Sequence, residues 1–533
     1  MLSRVRKPIL AASIGALLFL GSCGTSHGPS QAAKSATSTT TTQASVPVPA
    51  LEGPIEPSSK ISLLGSTLFP LSEVGYEQSE FFLSGTATAY TDSKPLTSNG
   101  DWQVTPEAKA YYKTRIVVYR PVDASRFDGT VMVEWFNVTG GISTAATWLT
   151  AHIQMIRSGM AYVGVDAQAG GIYGEAGSLA SHEGAGGIKV TDPSRYGSLV
   201  QPGDSFSYSI FEQAGKAVHA DAGRILGGLR PLHVIAAGES QSAFRMVTYI
   251  DAIQPISVGI YDGYLVYSRG GDSADLSQAP LRTIATPTPT YIRTDLDVPV
   301  LMFETEADVI GLGYRVARQA PTRFIREWEV AGTAHDDTYG LLYARSDTGN
   351  GSADTEAFAS MLDPPSAPIP GIVVCPAPIN TGSHTYEIRA AVQALVDWVA
   401  TGVAPPQSPR LEVDPSDPSR FLLDADGEAL GGVRTPQVQV PVATLSGVGQ
   451  PGSTPIEDPG RISGAVSGSA LCGIFGTTVT FGAAKLAALY PSHEVFVQRW
   501  DAATAADVKE GYLLAPDAAT LDRVAAASRV GDS

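Results

Sequence analysis

Basic charge, cysteine and long apolar runs are all scarce in this chain. Its 533 residues carry 36 Lys and Arg against 53 Asp and Glu, a formal net charge of -17. Past the first few residues no basic run is present to track a phosphate backbone, so nucleic acid is not an expected partner. The three cysteines, Cys23, Cys375 and Cys472, form no Cys-x-x-Cys, and no His-x-x-x-His occurs, so the common zinc patterns are missing. There is no P-loop and no Gly-x-Gly-x-x-Gly joining a strand to a helix, so no nucleotide cofactor is expected. The stretch Asp424–Glu428, "DADGE", lacks the ligand spacing of a calcium loop and reads as a tight Asp-Gly turn. No cofactor and no metal is therefore expected. Neither an internal repeat nor a heptad pattern is visible.

The one sustained apolar run, Ile9–Leu20, is too short to span a bilayer comfortably. Behind Arg4, Arg6 and Lys7 it has the layout of an export signal. It closes on Leu20-Gly21-Ser22-Cys23, which resembles the lipobox of bacterial lipoproteins. That resemblance implies cleavage before Cys23, lipidation of Cys23, and anchoring of the chain to the extracytoplasmic side of a membrane. An ordinary signal peptide with a chance cysteine is the alternative. Residues 24–50 are rich in Ser, Thr, Ala and Pro without apolar periodicity, as in a flexible tether. Residues 51–533 then form the folded domain, including a C-terminal extension from about 380. Export leaves Cys375 and Cys472 where disulfides persist, so they are expected to pair, with two buried free thiols as the alternative.

Within the domain, short apolar segments alternate with helical patterns. Strands are expected at Phe81–Ala89, Thr114–Tyr119, Thr130–Asn137, Ala161–Asp166, His233–Gly238, Val258–Tyr264, Val298–Phe303 and Phe324–Ala331. Helical periodicity covers Ala145–Ser158, Ser205–Gly223, Ser242–Ile253, Gly313–Gln319 and Ile388–Thr401. This order implies an α/β fold with a mostly parallel central sheet and helices on both faces. The Pro- and Gly-rich stretch beyond Thr401 and the Ala-rich C-terminus have no assignable place in it.

Gly238-Glu239-Ser240-Gln241-Ser242 follows an apolar strand and opens a helix. In that context the sequence reads as a nucleophile elbow, which pushes Ser240 out on a tight turn. Ser242 stands where a second glycine is more usual. A serine nucleophile needs a base, and the base an orienting acid, in the chain order Ser, acid, His. The strand "VPVLMF" runs into Glu304, Glu306 and Asp308, and the next strand is followed by His335. Asp308 has the better spacing for the acid, with Glu306 the alternative. His384, in a loop ahead of a helix, is the rival base; His152, His219 and His233 lie inside expected helices or strands. For an oxyanion, the expected donors are the backbone N–H of Gln241 and those of Val138 and Thr139, in the loop "NVTGG".

The stretches "VEWFNVTGG", "AGESQSA", "ETEADV", "EVAGTAH", "GGVRTP" and "ALCGIFGTT", spread from about 80 to 515, resemble a large bacterial family of α/β-hydrolase-domain proteins. The resemblance implies the α/β-hydrolase fold, with loop insertions and a C-terminal segment that is part of the domain. It also implies a triad of Ser240, His335 and an acid from the "ETEAD" loop, and hydrolysis of a small-molecule ester. An amidase or peptidase with the same triad, or a non-catalytic surface binding protein, are the competing readings. Oligomeric state and natural substrate have no signature in the sequence.

Overall fold

The computed structural model describes residues 45–56, 61–174, 187–257, 259–367, 374–450 and 468–532, with side chains from 471 onward in the last segment. The export signal, Cys23 and nearly all of the tether lie outside the described residues.

Nine strands of the described chain form one sheet, in the spatial order β1-β2-β3-β5-β4-β6-β7-β8-β9. They are β1 (Ala50–Glu52), β2 (Tyr76–Asp92), β3 (Val104–Pro121), β4 (Thr130–Trp135), β5 (Ala161–Val165), β6 (His233–Glu239), β7 (Gly263–Tyr267), β8 (Val300–Thr305) and β9 (Ile325–Val330). The run from β5 through β4 to β9 is parallel, while β1, β2 and β3 add an antiparallel flank. Every residue of β4, β5, β7 and β8 is buried, as expected of parallel strands covered on both faces.

Alternation along the strands divides the core in two. On β4, Val131, Val133 and Trp135 pack with Phe211, Met246 and Val247, from the helices Ser207–Ala220 and Gln241–Thr248. Met132 faces the other way, toward Trp148, Leu395 and Trp398, from the helices Ala146–Ser158 and Thr385–Thr401. Burying each such large side chain is worth roughly 1.5–3 kcal/mol. Period-two strands between amphipathic helices are thus the reason for the three layers.

Several expected elements differ: the strands read at Phe81–Ala89 and Thr114–Tyr119 extend to Tyr76–Asp92 and Val104–Pro121, and the helix read at Ser242–Ile253 passes into a π turn after Thr248. The strand read at Val258–Tyr264 is β7, displaced to Gly263–Tyr267, because pairing starts where Gly263 meets Ile235 of β6. The helix read at Gly313–Gln319 shrinks to one 3-10 turn, Tyr314–Val316. Its continuation is pulled to β9 instead: Arg318 pairs with Glu329 at 2.5 Å and the Gln319 N–H donates to Glu327 Oε1 at 2.7 Å.

The C-terminal region is built into the domain. Ala443–Ser446 pairs antiparallel with Thr477–Thr480, and the helices His493–Glu510 and Ala515–Ala527 bury Trp500, Phe496 and Leu521 against Phe358 and Tyr386. Arg389, fully enclosed, reaches both Asp347 and Asp517. Cys375 and Cys472 are disulfide-bonded across 97 residues of sequence. The Asp424 turn closes on itself, its Oδ1 accepting the Asp426 and Glu428 N–H groups.

Candidate active site

The carboxyl ends of β4 and β6 lie where the strand order turns back on itself, the usual location of a site in an open parallel sheet. At the end of β6 the chain must reverse into the helix Gln241–Thr248 within one residue. Ser240 does so at φ 53°, ψ −122°, a conformation side-chain-bearing residues rarely adopt. Holding it costs about 1–3 kcal/mol, which the surroundings must supply. They do so through the Ser240 N–H, which donates to Tyr267 O of β7 at 2.9 Å. Close packing adds to this, since a Cβ on Gly238 would come within 2.6 Å of Ser242 O. Ser242 itself is fully buried, so the position ordinarily taken by glycine has room for a serine but little more.

Ser240 Oγ lies 2.7 Å from Nε2 of His335, and His335 Nδ1 lies 2.6 Å from Oδ1 of Asp308. The other Asp308 oxygen accepts both the N–H and the hydroxyl of Thr305 at 2.7 Å, which fixes the carboxylate in the turn after β8. With Nδ1–H donating to Asp308, Nε2 is left as the acceptor for the serine hydroxyl. The His335 loop is held from a distance: its N–H donates to Ile474 O at 3.1 Å, one residue pair beyond the disulfide at Cys472.

Glu306 is not brought to the imidazole. Its two oxygens accept the Gly332 N–H at 2.6 Å and the Gly447 N–H at 2.8 Å, so it clamps the C-terminal segment to the loop after β9. The rival base His384 is buried behind the site. Its Nε2 bonds the Tyr267 hydroxyl and its Nδ1 lies 2.9 Å from Asp337 Oδ2. His152 and His219 meet main-chain carbonyls.

Of the expected oxyanion donors, Gln241 is the first residue of its helix, where the N–H has no intrahelical acceptor and the helix dipole favours negative charge. Among the described residues the Val138 N–H likewise meets no acceptor. Thr139 is a correction: its N–H donates to Asn137 Oδ1 at 2.8 Å, an Asx turn that removes it from the set. The Gln241 side chain turns away to donate to Gln168 Oε1 at 3.0 Å.

A residue the sequence reading passed over completes the cluster. Glu239, buried immediately before Ser240, accepts from Asn137 Nδ2 at 2.9 Å, and its Oε1 lies 3.5 Å from His335 Nε2. Its signal was available, since the elbow places an acidic side chain where the strand pattern calls for an apolar one.

Burial pushes the Glu239 carboxyl up to about 7. Burial also disfavours the charged form of His335, but the Asp308 carboxylate at 2.6 Å, helped by Glu239 and Asp336, outweighs it and lifts the imidazole to about 9. Burial raises Asp336 to about 7. Chemically, the cluster couples a half-exposed hydroxyl to a base of raised affinity for its proton. The backbone N–H of Gln241, next in sequence to Ser240 and first in its helix, lies at the helix's positive end, where negative charge is favoured.

A family model described as an alpha/beta hydrolase domain matches residues 51–523. No curated protein matches the chain. Among solved structures, the chain is similar to a candidate dienelactone hydrolase from Klebsiella pneumoniae, at 12% identity and a TM-score of 0.26, over 53% of this chain and 97% of that one. It is also similar to an esterase from Pyrobaculum calidifontis (14% identity, TM-score 0.24, 41% and 71% of the two chains). A candidate carboxylesterase from Lactobacillus plantarum stands at 12% identity and a TM-score of 0.22, over 42% and 76%. Likenesses at these values carry nothing about substrate.

Proposed function

Because the chain belongs to the alpha/beta hydrolase domain family and is a hydrolase, we propose that it is an extracytoplasmic serine hydrolase of carboxylic esters working through an acyl-enzyme. The observation that supports this reading most directly is the unbroken line Ser240 Oγ, His335 Nε2, His335 Nδ1, Asp308 Oδ1, with contacts of 2.7 and 2.6 Å.

In the proposed mechanism His335 Nε2 takes the Ser240 proton as Oγ attacks the ester carbonyl carbon. The carbonyl oxygen, now negative, is held by the Gln241 and Val138 N–H groups. The ester C–O bond then breaks, and His335 returns its proton to the departing alcohol. Water repeats the sequence on the acyl-serine, releasing the acid and restoring Ser240. Asp308 fixes the imidazole tautomer and stabilises its charged form throughout.

Matched ester and amide substrates of one acyl group test the ester reading. It holds if the ester turns over and the amide does not; comparable turnover favours the amidase alternative. Localisation rests on the signal and lipobox pattern, and the Cys375–Cys472 bridge is in keeping with an oxidising compartment. Palmitate labelling of the wild type and not of Cys23→Ala is the expected result for a lipid anchor at that residue.

A further inference from the structure

Glu239 has no task in the acylation chemistry, yet it sits against the base. Its side chain is buried, and among the described residues no Lys or Arg pairs with it. Asn137 Nδ2 holds one oxygen, Oε2, at 2.9 Å. The other, Oε1, is aimed at His335 Nε2 across 3.5 Å. A buried carboxyl is costly where an apolar side chain would serve the packing, so the position calls for a role.

The 3.5 Å gap is longer than an ordinary hydrogen bond but shorter than two of them end to end. A single water within hydrogen-bond distance of both atoms would bridge this gap. In the resting enzyme Nε2 is occupied by the Ser240 hydroxyl at 2.7 Å. In the acyl-enzyme Ser240 carries no hydroxyl proton, and once the alcohol has left Nε2 is free to accept from a new donor. The serine needs no help finding the imidazole, because the elbow places it. A water does, because it must be both located and turned.

Resting on the serine-hydrolase reading above, we propose that Glu239 is the residue that holds the hydrolytic water. Its Oε1 accepts one O–H of that water while His335 Nε2 accepts the other. In the step, the water oxygen forms a bond to the acyl carbon and its proton passes to His335 Nε2. The tetrahedral intermediate collapses as the carbon–Ser240 Oγ bond breaks, with His335 returning the proton to Oγ. The acid leaves, and Glu239 keeps its second hydrogen bond until the new carbon–oxygen bond has formed. A carboxylate suits this place because both its oxygens only accept, whereas an amide can turn a donor to the water.

Glu239→Gln separates the role from packing, since its carbonyl oxygen can still accept from Asn137 while its NH2 faces the water. Rapid-quench mass spectrometry with p-nitrophenyl acetate reads formation and decay of acetyl-Ser240 separately, in the full-length protein. Decay is expected to slow roughly 10- to 100-fold and formation to change less than about threefold, the range for a misplaced reactant. Equal losses in the two steps, or an unchanged decay, overturn the proposal. Should the Gln variant not fold, Glu239→Asp withdraws the carboxylate by one methylene and is read by the same ratio. Absence of both acetyl-Ser240 and p-nitrophenol release, in the wild type and in the Gln variant alike, sinks the serine-hydrolase reading itself and is thereby distinguished from failure of the Glu239 role.

Discussion

The Gly447 N–H donates to Glu306 Oε2 at 2.8 Å across 141 residues of sequence, while the Gly332 N–H donates to the other oxygen. The carboxylate two residues from Asp308 thus joins the C-terminal segment to the loop that carries His335. Burial raises Glu306 to about 7, so it destabilises the fold as it ionises. Relative to an ordinary glutamate, the stability it allows is fully present below the unfolded value near 4.5 and is lost as pH rises through about 7.

Glu306 and Asp308 should therefore separate under substitution. Glu306→Gln leaves one clamp N–H facing an amide NH2 and is expected to cost about 1–3 kcal/mol of stability. Turnover by the folded fraction should stay near wild type. Asp308→Asn should do the reverse, leaving the melting transition nearly in place while kcat drops on the order of 10³–10⁴-fold. Denaturant melts beside initial rates check both, and the opposite pattern would return the acid role to Glu306.

The imidazole's position at about 9 makes a pH prediction. His335 must be neutral to act as base, so kcat/KM should climb through the alkaline range with a half-maximum near that value. The sign for stability is opposite to that for activity. The charged imidazole's contribution is fully present below the unfolded value near 6.5 and lost as pH rises through about 9.

Much of this was legible in the residues, for reasons that can be named. Buried parallel strands are continuous apolar runs, so β4, β5, β6 and β8 stand out. The elbow has its own spacing of small residues, and chain order ranks Asp308 and His335. What stayed hidden depends on contacts distant in sequence. Nothing local says that Ile474 O receives the His335 N–H, or that Asn137 Oδ1 withdraws Thr139 from the oxyanion loop. The Gly313–Gln319 periodicity loses to Glu327 and Glu329, which draw off Gln319 and Arg318.

Gly238→Ala should disable the elbow. The added methyl meets Ser242 O at 2.6 Å, backbone that cannot move without shifting the helix. A cost of about 1–3 kcal/mol is expected from overpacking, with turnover falling further as Ser240 leaves its strained position. A circular-dichroism melt together with ester turnover would reveal it, and wild-type behaviour in both would show that the strand and helix can part without consequence.

The disulfide should matter to the domain as a whole. Cys375→Ser with Cys472→Ser is expected to lower stability by about 2–4 kcal/mol, mainly by releasing the unfolded chain. In denaturant melts the double variant and the wild type under reductant should agree with each other, and both should unfold before the wild type without reductant. Activity of the variant should fall as well, because the turn ending at Ile474 braces the His335 loop.

The most direct measurement is labelling by a fluorescent fluorophosphonate, with wild type beside Ser240→Ala, followed by turnover of short-chain p-nitrophenyl esters. The wild type should label at Ser240 and hydrolyse the esters, and both signals should vanish together in the variant. A folded wild type that neither labels nor turns over ester would contradict the account and leave the strained turn at Ser240 without a chemical purpose.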